Sequence, residues 1–106
     1  MKRLVLATVL AMSAATPAAA QSASADLGRL FADERAFVYR EDPLSATNAG
    51  IHDYDDRLPS VTPETQTRQA RENEAFLSRL QAIDRAALTH QEQVSYDLFA
   101  FMIGER

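Results

Sequence analysis

Acids, a histidine and a tyrosine crowd into residues 52–64, HDYDDRLPSVTPE, and oxygen-rich loops of this kind can hold a calcium ion. Asp53, Asp55 and Glu64 stand at positions one, three and twelve of a calcium-loop spacing. The likeness then fails: position five is Arg57, a cation where an oxygen ligand belongs, and position six is Leu58 where the sharp turn needs glycine. Zinc needs about three converging nitrogen, oxygen or sulfur ligands. The two histidines, His52 and His90, are far apart and lack the H-E-x-x-H spacing, and cysteine is absent. Nucleophilic catalysis has no cysteine and no G-x-S-x-G turn to work with.

The remaining groups favour structural roles. His90 falls in the first turn of a helix. His52 lies beside Asp53 and Asp55, carboxylates that would orient or protonate it. Asp55 and Asp56, adjacent in a turn, would point apart and stay solvated, with Arg57 pairing one of them. Tyr39, Tyr54 and Tyr96 suit packing with the hydroxyl at the rim. No position is assigned a catalytic, cofactor-binding or metal-ligating role.

The 106 residues carry 15 acids against 11 lysines and arginines, a formal net charge of −4. Scattered bases among more numerous acids exclude a phosphate-tracking stripe, and with it a nucleic-acid partner. Residues 1–20 have a basic start at Lys2 and Arg3, an apolar run over 4–15, and Ala18 and Ala20 before Gln21. That is the pattern of a secretory signal peptide, its apolar run short of the ~20 residues that span a bilayer. Cleavage would leave 21–106 with a charge near −6, periplasmic or secreted, with no membrane attachment and no disulfide. A chain of this size buries only about 60% of its unfolded surface, so its core must be modest or shared.

The elements that would position these groups are helical. Leu27, Leu30, Phe31, Phe37 and Val38 recur at steps of three and four and predict a helix over 24–41. Glu34 interrupts that stripe where a hydrophobe is expected, which implies a paired or snorkelled carboxylate, and Gly28 weakens the helix interior. Pro43 breaks the chain and starts a short helical turn that ends before Gly50. Thr62, Pro63 and Glu64 cap a long helix predicted to reach about residue 85, polar in its first half, with Glu64 and Arg68 in the favourable i,i+4 order. Its second half carries Phe76, Leu77, Leu80 and Ile83. Thr89 and Glu92 form a capping box for a last helix with the stripe Val94, Leu98, Phe101 and Met102, packed antiparallel on the long one. Phe99 and Ile103 make this helix apolar nearly all round, as in helices buried within larger proteins, and Gly104 would close it. The expectation is an all-α fold: three main helices plus a short helical turn, residues 21–106 being an incomplete domain at the front of a larger helical protein.

The ordered set of DPLSATNAGIHDYDDRLPSVTPE and FLSRLQAIDRAALTHQEQVSYDLFAFMI, ending in the Tyr96–Asp97 pair, resembles the N-terminal part of the domain-of-unknown-function 885 family along residues 27–103. The resemblance implies an exported, all-helical bacterial protein similar to zinc-dependent metallopeptidases, whose H-E-x-x-H motif lies downstream of the region present here. Zinc is therefore expected only in a full-length relative, not in this chain. His52 and Tyr54 would border the far side of a substrate cleft. The partner covering the last helix would be the remainder of that protein. The alternative is a complete small periplasmic module that binds a protein partner through the same face.

Overall fold

The computed structural model describes residues 16–106. Four α-helices follow one another, α1 Pro17–Glu41, α2 Pro43–Asn48, α3 Pro63–Gln81 and α4 His90–Gly104, with a 3-10 turn Arg85–Ala87 before the last. Among the described residues there is no strand, and no helix is long and apolar enough to cross a membrane. The fold is all-α, three main helices and one short one, as the periodicity predicts.

α1 is the strut. It begins at Pro17, seven residues before the predicted start, because Thr16 caps it and accepts a hydrogen bond from Ala19 N at 3.3 Å. The segment 17–23 is alanine- and serine-rich, so it propagates a helix without showing an apolar period. The expected signal peptide lies outside the described residues up to position 15; its last five residues form this cap and first turn.

The helix ends at Gly50, Thr62 and Thr89 are made by the residues that predict them, and Asp42 and Asp84 add caps of their own. Asp42 ends α1 and opens α2, its carboxylate accepting from Ser45 N at 3.2 Å. Gly50 takes φ +82° after α2, with Gly50 N donating to Thr47 O and Ile51 N to Ala46 O. This is a Schellman stop, and it needs a residue that tolerates the left-handed region. Thr62 caps α3, and Thr89 with Glu92 makes both bonds of the capping box on α4. α3 ends at Gln81, four residues before the predicted boundary, because Asp84 caps the 3-10 turn by accepting from Ala86 N.

Cross-helix pairs fix the directions. Ser24 and Glu34 on α1 meet Glu92 and Arg106 in ascending order, so α4 runs parallel to α1. Asp33 and Glu41 meet Arg79 and Arg68 in descending order, so α3 runs antiparallel to both. The core is built from Leu27, Leu30 and Phe37 of α1, Phe76 and Leu80 of α3, Ile83 and Leu88 beyond α3, and Phe99 and Ile103 of α4. Phe31 packs on Phe99 with ring centroids 5.0 Å apart, and Phe37 meets Phe76 edge-on at 5.4 Å.

The face that α4 buries corrects the predicted stripe. Phe99 and Ile103 point inward, whereas Val94, Leu98, Phe101 and Met102 are 55%, 57%, 66% and 48% exposed. Both sets satisfy helical spacing, so periodicity cannot choose between them. The capping box decides it. Glu92, held at the cap, also accepts from Ser24 Oγ at 2.8 Å, and its successors on the same face are Tyr96, Phe99 and Ile103. Gly104 is the last residue of α4 rather than its stop.

Gly28 lies on the solvent side of α1, and a Cβ there would meet nothing within 4 Å. Gly28→Ala should therefore stabilise the chain by about 0.5–1 kcal/mol through helix propensity, checked by urea unfolding; a destabilised variant would contradict the assigned face.

Candidate functional site

The inward stripe of α1 steps through Ala23, Leu27, Leu30, Glu34, Phe37 and Glu41 at intervals of four and three. Two of its positions are thus carboxylates, each only 14% exposed, and each is met by an arginine from another part of the chain. Arg106 Nη1 lies 2.6 Å from Glu34 Oε1, the pairing that the sequence expects for a carboxylate on an apolar stripe. Glu41 receives both terminal nitrogens of Arg68 at 2.7 Å, Gln69 Nε2 at 3.0 Å and Arg40 Nε at 3.3 Å. The Arg68 guanidinium holds the Glu41 carboxyl down at about 2; burial opposes it, and Gln69 and Arg40 add to the lowering.

This clamp was not legible as a pair. The i,i+4 rule assigns Arg68 to Glu64, but the bidentate fork goes to Glu41 across the helix interface. The available signal was Glu41 itself, seven residues beyond Glu34 on one stripe.

Two grooves flank this polar end of the bundle. One, of about 720 Å³, runs between α1 and α3 and is bordered by Glu41, Gln69, Asn73 and the connector residues Pro59 and Val61. Asn73 Oδ1 in its wall is buried without a hydrogen-bond partner. The other, of about 430 Å³, lies between α1 and α4 and is lined by Phe31, Val38, Tyr39, Leu98 and Met102. Arg106 borders both, so the Glu34–Arg106 pair stands where they meet.

The connector holds its own cluster. His52 Nδ1 is 2.8 Å from Asp55 Oδ2, and Thr47 Oγ1 donates to Asp55 Oδ1 at 2.5 Å. Thr47 and then His52 hold the Asp55 carboxyl below its usual range. Tyr54 is half-buried with the Arg57 guanidinium 5.6 Å above its ring, and Arg57 Nε also lies 4.0 Å from Asp56. His90 is exposed in the first turn of α4, and Tyr96 packs beside the core. Among the described residues no three histidine, aspartate or glutamate side chains converge on one point that could hold a metal ion. Asp55, at position three of the calcium-loop spacing, hydrogen-bonds with Thr47 and His52.

Because the Glu41 pKa falls from 4.5 in the unfolded chain to about 2 in the folded one, its contribution is complete above pH 4.5 and is lost as pH drops toward 2. With Arg68 half exposed, this amounts to about 1–2 kcal/mol. Urea titrations between pH 5 and 2.5 should show that part of the acid destabilisation missing in Glu41→Gln; identical pH profiles would contradict the clamp.

No curated protein matches the chain, and no solved structure does. A family model described as "Bacterial protein of unknown function (DUF885)" matches residues 43–106, from the first residue of α2 through α4. The match begins at Pro43 rather than at residue 27, leaving α1 outside it, and it takes in the connector, the long helix and the capped last helix that carry the resemblance. Covering well over half of the sequence, it places this chain in the DUF885 family of bacterial proteins.

Proposed function

We propose that this chain is the N-terminal helical segment of an exported peptidase-like hydrolase, and that its task is structural: α1, α3 and α4 form a scaffold against which the rest of that protein packs. The observation that carries this reading is the outer stripe of α4. Val94, Leu98, Phe101 and Met102 lie on one face at i, i+4, i+7 and i+8, all about half exposed or more, on a helix whose opposite face is already buried. A continuous apolar face of this kind is costly to leave in water. The α1–α4 groove beside it adds Phe31 and Val38 to the same surface.

Export is supported by the basic, apolar and small-residue succession of residues 1–20. Cleavage after Ala20 would remove Thr16 and Pro17 and leave α1 to start without its cap. In this reading the hydrolytic centre, with its zinc, belongs to residues outside these 106, and the segment alone neither binds zinc stoichiometrically nor cleaves peptides.

In the 106-residue chain, Leu98→Ser/Phe101→Ser should change stability by no more than about 0.5 kcal/mol per site, because both side chains face water. It should sharply reduce binding of a hydrophobic dye and any self-association. A loss above about 2 kcal/mol would mean that the face is part of this chain's own core. Stoichiometric zinc uptake together with peptide hydrolysis by the unmodified chain would overturn the functional reading.

A further inference from the structure

The most defined chemistry on the molecule sits where the structural reading gives it no task. α2 is anchored by Pro43 and Ala46, both buried, and Gly50 at φ +82° folds the chain back so that residues 52–55 lie against Thr47. The turn is closed by Asp55 N donating to His52 O and Arg57 N to Tyr54 O. Thr47 Oγ1 lies near both Pro43 O, at 3.1 Å, and Asp55 Oδ1, at 2.5 Å; its single proton goes to the shorter contact, which is with a charged acceptor. That leaves Asp55 Oδ2 to accept from His52 Nδ1. An imidazole whose Nδ1–H is committed to a carboxylate carries its lone pair on Nε2. The ring is two-thirds exposed, so Nε2 is open to ligand.

We propose that His52 is a carboxylate-backed imidazole nucleophile: its exposed Nε2 attacks an activated acyl carbonyl, the bond to the leaving group breaks, and that group departs with the proton lost from Nδ1. Asp55 is the residue that positions it, and Thr47 positions Asp55. The arrangement has the elements of general-base and nucleophilic sites: a ring nitrogen free to attack or take a proton, a carboxylate to stabilise the resulting imidazolium, and a third group fixing the carboxylate. A connector that only had to turn would need Gly50 and the Thr47–Asp55 bond, but not an aligned histidine. The inference rests on the hydrolase reading only for the acyl class of the target; the ring's reactivity toward an activated acyl group is a property of this chain and is distinct from peptide cleavage.

Diethyl pyrocarbonate provides the test. Nε2 attacks one of its carbonyls, the bond to ethyl carbonate breaks, and the ethyl carbonate takes up the proton lost from Nδ1 and decomposes to carbon dioxide and ethanol. At pH 7.5, with peptide mass mapping, His52 should be modified at least about threefold faster than the exposed His90. Asp55→Asn should remove that advantage while leaving the His90 rate and the helical circular dichroism unchanged. In the unsubstituted chain, 15N shifts should place the neutral proton on Nδ1 of His52, a measurement independent of whether any variant folds. Equal rates at the two histidines, an unchanged rate in a folded Asp55→Asn, or a proton on Nε2 would each overturn the assignment. None of these outcomes bears on the docking role of α4, which stands or falls on the dye-binding and zinc measurements.

Discussion

Two carboxylates on the buried side of α1 govern how the other helices are placed. Both lie half-buried on that face, so an unpaired glutamate at either position would carry a partial desolvation cost. Glu34 and Glu41 are therefore neutralised from opposite sides, by Arg106 at the end of α4 and by Arg68 in the first half of α3. Because the partners come from opposite ends of their helices, satisfying both requires α3 antiparallel and α4 parallel to α1. The apolar contacts of Leu27, Leu30 and Phe37 then fill the space between them. Hydrophobic burial supplies most of the driving force, and the ion pairs choose among the ways of achieving it.

The same constraint explains why the molecule has a dry end and a wet end. Toward Leu27 and Leu30 the helices meet through aliphatic and aromatic side chains. Toward Glu41 the inward face of α3 becomes Gln69 and Asn73, and the helices are held by charge-assisted hydrogen bonds with grooves on either side. The polar first half of α3 is thus partly solvated and partly spent on α1. The outer face of α4 is a separate matter. Its orientation follows from Glu92, which serves the capping box and Ser24 together, so the same anchor that buries Phe99 and Ile103 leaves Leu98 and Phe101 in solvent.

Local signals are legible in the sequence wherever one residue type has one physical use. Thr62–Pro63, Thr89 with Glu92, Pro43 and Gly50 mark helix ends that recur in the structure. Glu34 was legible as a paired carboxylate because a charge on an apolar stripe has few other options. What stayed illegible depended on tertiary choice. α4 offers two equivalent stripes, and only its contact with α1 selects one. Arg68 had a neighbour at i−4 and a better partner across the interface, 27 positions earlier in the chain. The start of α1 was hidden because alanine and serine form helix without a period. The His52–Asp55–Thr47 cluster was half visible, since the acid beside the histidine could be seen but not which acid, nor the threonine behind it.

A double-mutant cycle across Glu41 and Arg68, read by urea unfolding at pH 7, tests most directly whether cross-helix neutralisation of α1 orders the fold. With Glu41→Gln, Arg68→Gln and the pair, the account predicts a coupling of about 1 kcal/mol or more, above the usual range for exposed pairs. A coupling below about 0.3 kcal/mol, the level of an incidental surface pair, would contradict it.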